Sequence, residues 1–335
     1  MNIREEIRNS ILKKIKDKED PLKGFFAPKE TKEAILAVLV AGRHLLLEGP
    51  AGIGKTTAAK IITSLLPQTQ IVKGCRFGCR PQKPDCLDCR GMKEIISLTK
   101  EGKERFIRVQ GSPELVPEDL IGDIDPVMAI KYGINDLHTF IPGKIQKANR
   151  KIIFVDELNR VPQRTQNTLL QVLEEGITTI AGFDIEVKVD TLIIATENPQ
   201  EYAGVERISE TLRDRFESIK IDYPTKEQEL EILKIYGRKL EQIELSENLM
   251  EKIVSISHMS RSMKDIERPA SVRASLAIFE EAQSIAKLKG RDVVRKEDIK
   301  KALSLVLNGR IGLSIESEYY DNPQLLINKI IEEEI

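Results

Sequence analysis

The chain has no tryptophan, only three histidines, and aromatic residues at 4%. That scarcity argues against a platform for single-stranded nucleic acid, which stacks each base on an aromatic side chain. Charge of one sign is also missing. With 52 basic against 53 acidic side chains, nothing in the balance pulls the protein toward a polyanion, and no helix-turn-helix signature is present. No apolar run approaches the roughly 18 residues needed to span a bilayer. The opening MNIREEIRNSILKKIKDKED mixes both signs of charge, unlike a secretory leader. A cytoplasmic protein with no membrane association is expected. Cysteine is absent outside residues 75–89, and His44, His138 and His258 have no ligand-like spacing, so they are read as incidental.

What remains is a composition of 41% hydrophobic and 31% charged residues over 335 positions, typical of a folded, helix-rich chain of two domains. Ile3, Ile7, Ile11 and Ile15 recur at spacing four, which predicts an amphipathic N-terminal helix over 1–20 with its charge run solvated. Buried-strand signals follow at residues 45–49, where the run ends in a Gly-rich turn, at Ile152–Val155 and at Leu192–Ala195, with a weaker one at Phe106–Val109, and helical stretches lie between them. That alternation predicts an α/β unit over 21–223 with a central parallel sheet. Beyond Tyr223-Pro224 the pattern turns to helices only, opened by a Thr225/Gln228 capping box. It predicts a smaller all-α domain over 224–310 and a tail over 311–335.

Chemistry begins at Gly49-Pro50-Ala51-Gly52-Ile53-Gly54-Lys55-Thr56, which fits G-x-x-x-x-G-K-[ST] between a strand and a helix. Such a loop wraps nucleotide phosphates with backbone N–H groups at a helix N-terminus, with Thr57 next in that first turn. Lys55 is expected on the β- and γ-phosphates and the Thr56 hydroxyl on Mg²⁺. About one hundred residues later, Ile152-Ile-Phe-Val155 runs into Asp156-Glu157. At the carboxyl edge of a parallel sheet, Asp156 would hold Mg²⁺ through its water shell and Glu157 would orient and deprotonate the attacking water. Asn198, just past the Leu192–Ala195 strand, either bonds that water or the γ-phosphate, or simply opens an Asn-Pro turn. Leu212-Arg213-Asp214-Arg215-Phe216 offers two guanidinium groups, one a candidate arginine finger. Arg273 could reach the phosphates from the helical domain.

These segments, in this order, resemble the AAA+ ATPases: Walker A at Gly49–Thr56, Walker B at Asp156-Glu157, sensor 1 at Asn198, a finger in Asp214-Arg215-Phe216 and sensor 2 at Arg273. Asp156-Glu157-Leu158-Asn159-Arg160, Gln166-Asn167, Glu174-Glu175-Gly176 and Ala195-Thr196-Glu197-Asn198-Pro199 are similar to one branch, the magnesium-chelatase I subunits and MoxR ATPases. Pro117–Gly122 with Pro142-Gly143-Lys144 looks like that branch's helix-2 insert, and Gly176–Lys188 like its hairpin before sensor 1. Arg213 departs from the family, which usually has an apolar residue there. The resemblance implies an α/β AAA+ domain with a helical lid, a homo-oligomeric ring such as a hexamer, and a partner carrying a von Willebrand type A domain. It also implies remodelling driven by hydrolysis of Mg-ATP, in a chelatase-type motor or a MoxR-type chaperone. A nucleic-acid-associated relative is the third class.

All four cysteines fall in Cys75-x₃-Cys79-x₆-Cys86-x₂-Cys89. A reduced cytosolic chain would not pair them as disulfides. Four thiolates suit tetrahedral Zn²⁺, an iron–sulfur cluster, or a redox sensor that gates the ATPase.

Overall fold

The structure, a computed structural model, describes residues 1–84, 86–134, 136–179, 186–199 and 207–334. It divides into two compact units. The first comprises Met1–Phe25, Lys29–Gly49 and Gly54–Ile221; the second comprises Phe26–Pro28, Pro50–Ile53 and Asp222–Ile335.

Five strands form the sheet of the first unit: β1 (His44–Glu48), β2 (Phe106–Gln110), β3 (Lys151–Asp156), β4 (Thr191–Glu197) and β5 (Phe216–Lys220). They run parallel in the order β5-β1-β4-β3-β2. The unbroken apolar runs of β1, β3 and β4 take the three inner places, where both faces are buried. The strands with exposed polar positions, Arg108 and Gln110 in β2 and Glu217 and Lys220 in β5, take the edges. The longer helices of this unit are α1 (Ile3–Lys16), α2 (Lys29–Ala41), α3 (Lys55–Ser64) and α4 (Gln163–Glu175).

α1 begins with a capping box between Asn2 and Glu5. Its Ile3, Ile7 and Ile11 are fully buried while Ile15 is half exposed, each buried side chain contributing about 1.5–3 kcal/mol. The expected solvated charge run is not uniform. Glu6 is buried and pairs with Arg105 at 2.6 Å and with Arg150 at 3.6 Å. A helix with four-residue spacing hides whatever lies beside its apolar stripe, and here a charge is hidden with its partners.

Among the hairpins outside the sheet in this unit are Asp123–Ile124 with Phe140–Ile141 and Ile177–Thr179 with Glu186–Lys188. They occupy the predicted helix-2 insert and sensor-1 hairpin. The tip of the latter, 180–185, and positions 200 and 201 lie outside the described residues. A third hairpin, Thr69–Val72 with Ser97–Lys100, brackets the cysteines.

The second unit packs α5 (Lys226–Tyr236), α6 (Glu247–Ser260), α7 (Val272–Leu288), α8 (Lys296–Arg310) and α9 (Pro323–Glu334) around Leu233, Ile253, Ile278, Leu303 and Ile327. Thr225 and Gln228 cap α5 reciprocally. Helices are not its whole content, since Ile266–Arg268 pairs with Gly312–Leu313 in a two-stranded ribbon. Residues 311–335, read from the sequence as a tail, carry α9, whose Leu326, Ile327, Ile330 and Ile331 are buried.

Candidate functional site

β1 ends at Glu48, and the chain turns through glycines before α3 opens at Lys55. Gly49, Gly52 and Gly54 hold φ of 154°, 79° and 97°, conformations that cost glycine little and other residues more. Lys55 is buried and its Nζ donates to the Gly49 carbonyl oxygen. Thr56 and Thr57 follow, partly buried, in the first turn of α3. Pro50, Ala51, Gly52 and Ile53 belong to the second unit. There Gly52 lies against the start of α7: a Cβ on it would stand 2.8 Å from Ser271 Oγ and 3.4 Å from Arg273 Cγ.

The acidic pair closes β3. Glu157 sits in the left-handed region, φ 58° and ψ 57°, which costs a non-glycine residue about 1–2 kcal/mol. Its neighbours hold it there. The Glu157 N–H donates to Thr196 Oγ1 at 2.8 Å, and the Thr196 hydroxyl donates to Asp156 Oδ1 at 2.9 Å. Gly111 backs the turn, its N–H donating to the Asp156 carbonyl at 2.6 Å. A Cβ at Gly111 would fall 2.0 Å from the Glu157 carbonyl oxygen, so no other residue fits. Asp156 Oδ2 meets Arg108 Nη2 at 2.5 Å, and Glu157 Oε2 meets Arg160 Nη1 at 3.1 Å.

Sheet register brings these parts to one edge. Glu48 is level with Glu197, Ala195 with Val155 and Gln110 with Asp156. With strands spaced by about 4.8 Å, the ends of β1 and β3 stand about 10 Å apart across β4. Asn198 follows β4, buried, its carbonyl accepting from Asn159 Nδ2 at 3.3 Å.

The two arginines of the Leu212–Phe216 segment differ in their commitments. Arg213 bridges Glu48 Oε1 at 2.5 Å and Glu197 Oε2 at 2.7 Å. Burial disfavours its charge, but the bonds to Glu197 and Glu48 outweigh that and hold its pKa above the ordinary value. Arg215 pairs with Glu174 and, at 2.7 Å, with Asp214, and its pKa is raised by the Glu174 bond first.

Three family descriptions match successive parts of the sequence: "Magnesium chelatase, subunit ChlI" over residues 23–74, "ATPase family associated with various cellular activities (AAA)" over 91–218 and "AAA lid domain" over 259–329. The chain belongs to the AAA+ ATPases. The relatives that it matches fall in the branch of magnesium-chelatase I subunits and MoxR proteins. It is 28% identical to the chaperone MoxR1 of Mycobacterium tuberculosis over 90% of this chain and 76% of that protein. To a magnesium-chelatase subunit ChlI homolog of Methanocaldococcus jannaschii it is also 28% identical, over 85% of this chain and 82% of that one. A mutant RuvB of Thermotoga maritima shares the fold with a TM-score of 0.50 at 17% identity, covering 84% of this chain and 71% of that one. ATP and Mg²⁺ are the ligands of such an ATPase. No helix among the described residues is long and apolar enough to cross a membrane.

The cysteines of this AAA+ ATPase fall between the first two matched stretches. Their four sulfurs lie within 4.8 Å of one another, with Cys75 Sγ 3.4 Å from Cys86 Sγ. None is in a disulfide. The bonds from Cys79 and then Cys86 pull the Cys75 thiol down. Burial pushes Cys89 up.

Sequence reasoning passed over Thr196, Gly111, Arg108 and the Glu48–Arg213–Glu197 bridge. Thr196 sits inside a run singled out for Asn198. Gly111 and Arg108 gave no signal, because their roles come from a strand nearly fifty residues away.

Proposed function

We propose that this AAA+ ATPase is the motor subunit of a ring, a hexamer, that couples ATP hydrolysis to remodelling of a partner protein. In this reading Gly49–Thr57 bind the phosphates, Lys55 neutralises the β- and γ-phosphates, and Thr56 and Asp156 hold Mg²⁺. Glu157 takes the proton of the attacking water, Asn198 orients that water, and Arg215 and Arg273 stabilise charge on the γ-phosphate. The observation that carries the reading is the Asp156-Glu157 turn, held in a strained backbone by Thr196 and Gly111 one strand away from the end of the phosphate-loop strand. Preorganised acids of this kind belong to a hydrolytic site.

The partner carries a von Willebrand type A domain, and the output is metal insertion into a tetrapyrrole, as in a magnesium or cobalt chelatase. The match of residues 23–74 to the chelatase subunit supports this. The likeness to MoxR1 over 90% of the chain supports a second reading, a chaperone that matures or metal-loads a partner complex. Both place the protein in the cytoplasm. The four cysteines bind a metal, as zinc or an iron–sulfur cluster.

Paired variants test the division of labour. Lys55→Ala should lose ATP affinity, whereas Glu157→Gln should bind ATP and stall, with turnover down by at least about a hundredfold. Equal loss of affinity in both, or near wild-type turnover in Glu157→Gln, would overturn the assignment.

A further inference from the structure

The cysteine loop touches two of the hairpins that lie outside the sheet of the AAA+ domain. We propose that Cys75, Cys79, Cys86 and Cys89 hold a single zinc ion, and that this centre is the common anchor of two hairpins, through Phe140 of the first and Val187 of the second. The inference rests on the metal reading above and narrows it to one ion with one task.

The nuclearity follows from the sulfur spacing. A tetrahedral zinc with bonds of about 2.3 Å separates its thiolates by about 3.8 Å. Here the four sulfurs lie within 4.8 Å of one another and the Cys75–Cys86 pair stands at 3.4 Å, which brackets that value. A four-iron cluster puts each thiolate on a different iron and spreads the sulfurs further than this. The donor set has the right support as well: the Cys79 N–H donates to Cys75 Sγ at 3.4 Å, the kind of outer bond that steadies a metal-bound thiolate. Cys79 and Cys89 are buried while Cys75 and Cys86 are partly exposed, so an ion can enter from one side.

The task follows from what packs against the sulfurs. Cys79 and Cys89 share an apolar cluster with Val72, Phe77 and Phe140, and Val187 packs on it. Phe140 is a strand residue of the first hairpin, and Val187 of the second. Arg76, between the first two cysteines, donates to the Phe140 carbonyl at 3.0 Å while its guanidinium binds Asp88, between the last two. The stretch RFGCRPQKPDCLDCRG between Cys75 and Met92 offers Phe77 as its one large aromatic anchor. In a loop so poor in apolar residues, the free energy of metal binding becomes the free energy of ordering. With the ion bound, Phe77 and Phe140 have a fixed platform. Without it, both hairpins lose the surface that they share.

Hydrogen exchange on the full-length protein tests this. Zinc should be found at about one ion per chain, and replacing it with cobalt(II) should give the strong visible bands of a tetrahedral thiolate site. Stripping zinc from the wild-type protein should speed amide exchange in both 123–141 and 186–188 by about tenfold or more, and returning zinc should reverse it. Exchange in 151–156 and the affinity for a fluorescent ATP analogue should stay the same. The Cys86→Ser/Cys89→Ser variant should match the stripped protein. Faster exchange confined to 73–92, with zinc release otherwise normal, would overturn the anchoring role while leaving the metal site intact. Iron with a brown chromophore would overturn the single zinc ion. A protein isolated anaerobically without chelator that holds no metal would overturn the metal reading itself.

Discussion

Thr196 serves two residues with one hydroxyl, accepting from the Glu157 N–H and donating to Asp156 Oδ1. It therefore aims both acids. Thr196→Val keeps the shape and removes both bonds. With a hydrogen bond to a charged group worth about 1.5–3 kcal/mol, kcat should fall by about tenfold to a hundredfold, while KM for ATP changes little. Steady-state kinetics would decide, and an unchanged kcat would mean that Gly111 and the sheet hold the turn unaided. Gly111→Ala should be worse, because the added methyl has only backbone atoms to displace.

Among the elements of the helical domain, the joint of α5, α6 and α7 is built on a buried charge. Glu229 on α5 is fully buried and binds His258 Nε2 at 3.0 Å, Arg261 Nη1 at 2.8 Å and the Ser275 hydroxyl of α7. Arg261 in turn stacks over Tyr223 with its guanidinium carbon 4.3 Å from the ring centre. Burial by itself would raise the Glu229 pKa, but the bonds to His258, Arg261 and Ser275 outweigh it and leave the pKa below the ordinary value. A depressed folded pKa means stability that is complete above about pH 4.3 and is lost as pH falls through the lower folded value. Glu229→Gln leaves Arg261 buried without its counter-ion, so it should cost about 3–5 kcal/mol at neutral pH. Its melting temperature should also vary less with pH at the acid end than that of the wild type. Parallel melting curves for the two proteins from neutral pH down to the carboxylate range would refute the role given to Glu229. The network also places His258, incidental by sequence spacing, in a structural part. α9 is a second such element: Ile330→Ala should cost about 2–5 kcal/mol, an effect that a loose tail would not show.

At the scale of the whole molecule, the two arginines near β5 bear on assembly. Arg213 spends its guanidinium on Glu48 and Glu197 of its own chain, at the end of the sheet. Arg215 is held by Glu174 and Asp214, pairs at the surface that a neighbour's phosphate could displace. A ring should therefore share its sites, with Arg215 acting on the ATP of the next chain. An arginine finger is worth about 10³–10⁵ in rate. Homo-oligomers of Arg215→Ala and of Lys55→Ala should both be inactive, and mixing them should restore part of the activity. Specific activity should rise with protein concentration as rings assemble. Mixed rings that form and stay inactive, or dilute monomer at full rate, would rule the shared site out. Arg213→Ala should act differently, weakening each chain's own site with no rescue by mixing.

The sequence by itself determined the parts whose signal is local. The G-x-x-x-x-G-K-[ST] pattern needs its glycines and lysine within eight consecutive residues, so Gly49–Thr56 is legible wherever it lies. A strand buried on both faces must be an apolar run, which is why β1, β3 and β4 and the Asp156-Glu157 turn could be read directly. The Thr225/Gln228 cap and the spacing of the cysteines are equally local. Tertiary structure alone decided what depends on the meeting of distant segments. Gly111 is required because β2 ends beside the turn after β3, and Thr196 matters because β4 lies between β1 and β3. Arg213 closes on Glu48 across 165 positions, and Glu6 is buried because two arginines from other elements receive its charge. The fate of the last twenty-five residues was decided in the same way: an apolar face on a short charged segment orders as a helix only where a core is waiting to cover it.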